Sequence, residues 1–210
     1  MKTFSSILLI AAFIISCSNS DTNRVNSNKT EIRNGDIIFQ TSKSSQSKAI
    51  QIATKSKYSH MGIIYKEGDN YFVYEATQLV KLTPLKEWIA RGENQHYVIK
   101  RLKNANELLT PESLKKMKKI GERFNNKNYD LYFEWTDDRI YCSELVWKIY
   151  KEAIGIEIGE LETLKDFDLS NDIVNKKVRE RYVDHIPLDE KVISPAVMFN
   201  SDKLETVIEN

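Results

Sequence analysis

The apolar positions of this 210-residue chain fall first into short strand-like runs and later into helical spacing. Ile37-Ile38-Phe39 follows the turn Asn34-Gly35-Asp36 and reads as a short buried strand. Residues 42–57 are polar with Ile50, Ile52 and Ala53 in their middle, which predicts a short helix. Two β-rich runs, residues 59–65 and 71–76, flank the turn Glu67-Gly68-Asp69-Asn70 and predict a hairpin. Residues 84–91 predict a helix with Leu85, Trp88 and Ile89 inward, and residues 97–102 another strand. Thr110-Pro111-Glu112 is a helix start, with a Thr cap and proline at the first helical position. Leu114, Met117, Gly121 and Phe124 mark that helix's buried face. Residues 125–138 form an aromatic-rich loop. Leu145, Val146, Ile149 and Ala153 then recur at helical spacing and predict a helix over residues 143–153. Residues 161–182 are mostly polar and helical in their second half. Ile186-Pro187-Leu188 and Val192-Ile193-Ser194-Pro195 read as extended pieces returning to the core. The pattern predicts an α+β domain, an antiparallel sheet with helices on one side.

The N-terminus breaks this pattern. Lys2 precedes an apolar run, Ile7 to Ile15, long enough for the core of a signal peptide and too short for a membrane span. The run ends in Ile14-Ile15-Ser16-Cys17, which resembles a bacterial lipobox and implies cleavage before Cys17 and lipidation of its thiol. Residues 1–17 are therefore expected to be a lipoprotein signal segment, residues 18–30 a Ser/Asn-rich flexible tether, and residues 31–210 a single domain. The expected location is the bacterial cell envelope, held to the membrane by lipid. Ser18 gives no evident inner-membrane retention signal, so the outer membrane is preferred.

Charge narrows the function classes. The chain carries 31 basic and 30 acidic residues, and the loss of Lys2 with the signal would make them equal. No basic stripe suggests nucleic acid. Only two cysteines are present. With Cys17 lipidated, Cys142 is a lone thiol in a compartment that permits disulfides. No second cysteine lies near it and the three histidines are far apart, so no zinc spacing appears and neither a metal nor a cofactor is expected.

Cys142 stands where an extended approach meets the start of a helix. Unpaired backbone N–H groups and the helix dipole favour a thiolate there; the alternative is a small buried hydrophobe. A thiol nucleophile needs a base and a group that orients the base. His60 begins a strand beside Gly62, whereas His96 and His185 lie in loop-like contexts. Glu75 is a charge in an apolar and aromatic strand, where it needs a partner. If the two runs pair about the Glu67–Asn70 turn, His60 and Glu75 fall near opposite each other. Asp130, Asp137 and Asp138 read as solvated loop charges.

The order Gly35-Asp36-Ile37-Ile38-Phe39, Ser59-His60-Met61-Gly62-Ile63, Tyr74-Glu75-Ala76 and Tyr141-Cys142-Ser143-Glu144-Leu145-Val146 resembles the permuted papain-like hydrolases of the NlpC superfamily, in particular the YiiX/YaeF-like group. The resemblance spans nearly the whole domain and reaches Ile193-Ser194-Pro195 and Asn200-Ser201. It implies a circularly permuted papain-like fold with the nucleophile at a helix N-terminus. It also implies Cys142 as nucleophile, His60 as base, Glu75 as the group orienting the imidazole, and the Cys142 backbone N–H as part of an oxyanion hole. Tyr141 and Ser143 belong to the cysteine motif and are pocket candidates, as are Tyr132 and Trp135 of the aromatic loop.

The leading reading is thus an envelope-anchored cysteine hydrolase that attacks an amide or ester carbonyl and passes through an acyl-enzyme, with cell-wall peptide as substrate. A lipid or N-acyl hydrolase or acyltransferase with the same triad is the alternative. An apolar groove would favour acyl substrates and a polar one wall peptide. A non-catalytic ligand-binding module of the envelope is the alternative from another class.

Overall fold

The computed structural model describes residues 31–183 and 185–210. The signal segment, the lipobox with Cys17 and the tether lie outside the described residues. The domain is built on strands β1 (Ile37–Gln40), β2 (His60–Glu67), β3 (Asn70–Ala76), β4 (Val80–Pro84), β5 (Val98–Leu102), β6 (Glu162–Thr163), β7 (Lys191–Val192) and β8 (Leu204–Glu209). Its helices are α1 (Ser45–Thr54), α2 (Leu85–Ala90), α3 (Ala105–Leu108), α4 (Pro111–Glu122), α5 (Cys142–Ile154), α6 (Asp172–Tyr182) and α7 (Pro195–Phe199). Six strands form one antiparallel sheet in the order β4-β3-β2-β1-β5-β8, and β6 pairs with β7 in a separate ribbon. Among the described residues no helix is long and apolar enough to cross a membrane.

Strand alternation sorts the core onto two faces. On one face Phe39, Met61, Ile63 and Tyr74 pack with Met117 of α4 and Leu145, Val146 and Ile149 of α5. On the other, Ile38, Ile64, Val73 and Ile99 pack against Trp88 of α2. Helices therefore cover both faces, not one. The fully buried Trp88 lets a six-residue helix close the second face. Burying such an aromatic removes enough apolar surface from water to fix so short an element in place.

Other elements match or revise the sequence pattern. Thr110 caps α4 through its hydroxyl, which accepts the Ser113 N–H at 3.2 Å. Gly121 of α4 leaves room for the Tyr74 ring, whose hydroxyl donates to the Gly121 carbonyl at 2.6 Å. The Val192 segment does not stay extended. Ser194 caps α7, accepting the Val197 N–H at 3.2 Å, with Pro195 at the first helical position. Residues 186–188 are irregular and turn-like. The edge strand β4 falls where no strand was expected. Asp36 pairs with Arg101 through two bonds of 2.7 and 2.8 Å, a buried clamp between the first turn and β5.

Candidate active site

α5 starts at Cys142 itself, one residue earlier than the apolar spacing predicts. Tyr141 precedes it in extended conformation, and its N–H reaches Glu144 Oε2 at 3.4 Å, the reach-back half of a capping box. Two side chains tie this helix start to the segment before α7. The Tyr141 hydroxyl accepts the Ile193 N–H at 3.1 Å, and Ser143 Oγ donates to the Ile193 carbonyl at 2.7 Å. The Cys142 thiol is buried, and the N–H groups of Met61 and Ser143 point to it.

His60 opens β2. By strand alternation it shares a face with Gly62 and Ile64, and Glu75 shares that face with Val73. Ile63 pairs with Tyr74, so Gly62, not His60, lies across from Glu75. The two site residues are diagonal neighbours, offset by two residues from the expected register, and a long carboxylate side chain spans that diagonal. Gly62 makes the approach possible: a Cβ there would stand 2.5 Å from Val73 Cγ1 and 2.7 Å from the Tyr74 carbonyl oxygen.

His60 Nε2 lies 2.6 Å from Glu75 Oε2. That leaves Nδ1 for Cys142, with which the ring is in hydrogen-bond contact. Glu75 is fully buried, and its Oε1 accepts Thr83 Oγ1 at 2.6 Å and a guanidinium N–H of Arg91. The imidazole stacks on Trp88, with centroids 5.8 Å apart and planes 22° apart. Three groups thus fix the carboxylate, and an indole fixes the ring plane.

The electrostatics follow from these contacts. Burial disfavours the charge on His60, but its bonds to Cys142 and Glu75 outweigh burial and raise its pKa to about 9. Burial likewise pushes the Cys142 thiol up, and the hydrogen bond and charge of His60, with the Met61 and Ser143 N–H groups, bring it below the ordinary thiol value. Burial raises Glu75, yet His60, Thr83 and Arg91 together lower it to about 2. The contacts bias this row toward thiolate, imidazolium and carboxylate.

Tyr129 is the neighbour that sequence reasoning left out of the site. It sits in the aromatic loop, held by its N–H to the Gln78 carbonyl at 3.1 Å and by pairing with Ile140. Its hydroxyl is in hydrogen-bond contact with Cys142. Burial and the nearby thiolate push that hydroxyl well above its usual range, so it stays protonated and donates. The only signal in the sequence is an aromatic-rich loop just before the cysteine. Asp130, next to it, is not a solvated loop charge: it is fully buried and accepts the N–H groups of Tyr132 at 2.9 Å and Glu134 at 2.7 Å. Asp137 pairs with Lys148 at 2.7 Å.

Two depressions meet at the Cys142–His60 pair. A cleft enclosing about 750 Å³, part of it open to solvent, runs from Cys142 between α1 and α6. Its walls are Ala49, Ile50 and Ala53 of α1, Val174 and Val178 of α6, and Phe133, Leu164, Phe167 and Leu169. Tyr141 and Ser143 line it at the thiol. Tyr132 and Trp135 do not. Tyr132 packs edge-on against Tyr182 outside, and Trp135 packs against Trp147. The loop turns about Asp130, which points Tyr129 and Phe133 inward instead. On the His60 side a larger, more open groove is lined by Gln40, Ser42, Ser59, Thr77, Gln78, Asn128 and Arg91. His96 and His185 are elsewhere: His96 contacts Lys57 and the C-terminal Asn210, and His185 lies in the loop after α6.

Residues 31–208 match the family described as permuted papain-like amidase enzymes, YaeF/YiiX, C92. The chain belongs to this amidase family. Similar to it is the uncharacterized protein YiiX of Escherichia coli strain K12, 49% identical over 173 residues, which span 82% of this chain and 84% of that protein. The crystal structure of metalloprotein yiiX from Escherichia coli O157:H7 superposes with a TM-score of 0.80 at 48% identity, covering 85% of this chain and 97% of the other. The permuted fold explains the order of the candidate site along the chain, with His60 and Glu75 on β2 and β3 and Cys142 on a helix nearly seventy residues after Glu75.

Proposed function

We propose that Cys142, His60 and Glu75 are the nucleophile, base and orienting carboxylate of a thiol amidase whose substrate carries a fatty-acyl group. The observation that carries the acyl side is the cleft at Cys142, walled by aliphatic and aromatic side chains. A long alkyl chain gains about 0.8 kcal/mol for each methylene it buries in such a cleft. A wall peptide would find few partners there for its polar groups beyond the ends of Gln46, Lys177, Arg181 and Ser194. The groove on the His60 side, richer in polar side chains than the cleft, suits the departing amine or alcohol. This reverses the order of the two substrate readings, because the groove is apolar where the acyl group must sit.

In the reaction the Cys142 thiolate adds to the carbonyl carbon, and the carbonyl π electrons move to oxygen. Tyr129 Oη–H, in contact with the thiol, and the Cys142 N–H would donate to that oxyanion. The C–N bond then breaks as His60 gives the Nδ1 proton to the leaving amine, which leaves a thioester. Water attacks the thioester, returns a proton to His60, and releases the fatty acid and the thiolate. The E. coli structure is described as a metalloprotein. Among the described residues here no three His, Cys, Asp or Glu side chains gather as metal ligands would, and His60 Nε2 and both Glu75 oxygens are already engaged. The set does not fit a metal, and no step is routed through one. Export by residues 1–17 and lipidation at Cys17 would place the cleft beside acyl lipids in the envelope.

The deciding experiment offers N-acyl amines of increasing chain length, acyl phospholipids and wall-peptide fragments to the protein and to Cys142→Ala. Cys142-dependent release of fatty acid that improves with chain length supports the proposal. Cleavage of wall peptides alone overturns the acyl reading. Tight acyl-chain binding without turnover by either form points to a ligand-binding module.

A further inference from the structure

Arg181 of α6 is the unusual charge around the cleft. It is partly buried against the wall, and burial pulls its pKa down. Lys177, one turn earlier, pairs with Glu180 at 2.7 Å. Among the described residues Arg181 forms no ion pair with a carboxylate, although the charges of Glu180 and Asp130 lie near enough to act on it. Its guanidinium lies over the Phe133 ring at 5.3 Å, and an Nη2–H donates to Gln46 Oε1 at 2.9 Å. Gln46 Nε2 in turn donates to the Tyr129 hydroxyl at 3.4 Å, and Tyr129 contacts the Cys142 thiol. A partly buried cation spent on a neutral amide needs a reason.

Every hydrogen bond in this row points the same way. The guanidinium donates to the amide carbonyl, the amide N–H to the phenol oxygen, and the phenol O–H to sulfur. Donors in series polarise one another, so a full positive charge at one end strengthens the donor at the other. The series crosses three elements: α6, α1 and the loop before α5. We infer that Arg181 and Gln46 are positioning residues that polarise Tyr129, making its hydroxyl a stronger donor to the Cys142 thiolate and then to the oxyanion. Because Arg181 also helps to wall the cleft, the helix that encloses the acyl group would charge the group that stabilises the reacting oxygen.

This rests on Cys142 being the nucleophile, and a substrate-free test separates the two. The pH dependence of Cys142 alkylation by iodoacetamide is measured on the full chain for wild type, His60→Ala, Tyr129→Phe, Gln46→Leu, Arg181→Met and the double variant Tyr129→Phe/Arg181→Met. The other ionisable groups facing this region are His60, Asp130, Tyr141, Glu144, Lys177, Glu180 and Tyr182, all unchanged in the last four variants. Arg179→Met, which removes a charge from the exposed side of α6, is the control.

The expected result is a low-pH limit of reactivity that moves up in Tyr129→Phe, Gln46→Leu and Arg181→Met. The rate on the acid side should fall roughly three- to tenfold, the effect of weakening one hydrogen bond to a charged group. Arg181→Met should add nothing in the Tyr129→Phe background, and Arg179→Met should match wild type. Unmoved profiles in both Gln46→Leu and Arg181→Met overturn the inference, as does an Arg181 effect that persists without Tyr129 or equals that of Arg179. If His60→Ala also leaves the profile unchanged, the catalytic reading fails with it.

Discussion

Glu75→Gln removes one charge from a buried site while keeping its shape. In the native protein Glu75 ionises near 2 in place of its usual 4.5. The group therefore stabilises the fold above its unfolded value, and that contribution is lost as pH falls through the folded one. The difference is worth roughly 3 kcal/mol at neutral pH and falls to about 1 kcal/mol near pH 3. The raised pKa of His60 expresses much of the same interaction from the other side and is counted once with it. The glutamine must also present its NH₂ to Thr83 Oγ1, Arg91 or the imidazole, since Glu75 accepts from all three. Urea unfolding should show a loss of about 3 kcal/mol at pH 7 that shrinks to about 1 kcal/mol at pH 3. NMR titration should show His60 losing its proton below about 9. An equal loss at both pH values, with the imidazole titration unmoved, would refute the argument, because the cost would then lie in packing.

Three further outcomes follow from the geometry. Cys142→Ala should abolish turnover and lower the His60 pKa from about 9, since the thiolate is the first of the groups that raise it; NMR of the imidazole reads this directly. Gly62→Ala should destabilise the fold by roughly 1–3 kcal/mol, the cost of overpacking, because its methyl meets Val73 and the Tyr74 carbonyl. Activity should fall with the β2–β3 pairing in that variant. Thr110→Ala should cost about 1 kcal/mol in urea unfolding through the lost α4 cap and leave the rate of Cys142 alkylation unchanged.

What could be read in the sequence is what local pattern controls. The apolar spacing after Cys142 located α5, and the isolated charge of Glu75 in an apolar strand marked the partner of His60. The register was misjudged because the turn closes on the Glu67–Asn70 pair, and that choice moves every partner along the strand. β4 escaped notice because Lys81 and Leu82, on opposite faces of this edge strand, are both exposed and Pro84 ends it, which leaves no burial alternation to read. Thr83, Arg91, Gln46, Tyr129 and Arg181 escaped for a different reason. Each reaches the site from its own element, and their convergence depends on how β4, α2, α1, the loop and α6 dock. The aromatic loop shows the same limit: its composition announced a wall, but the buried Asp130 decides that Tyr129 and Phe133 face in while Tyr132 and Trp135 face out.

Ala49 and Ala53 lie one helical turn apart on the cleft-facing side of α1. Neither belongs to the sheet that holds His60 and Glu75. If the cleft takes an acyl chain, its depth is set at positions of α1 other than Gln46 and apart from Cys142, His60 and Glu75. A single methyl or isopropyl group added at either alanine would shorten the space for an alkyl tail and leave the thiolate as it is. Copies of this fold could drift toward shorter or longer substrates by small steps on one helix, with the chemistry carried along unchanged.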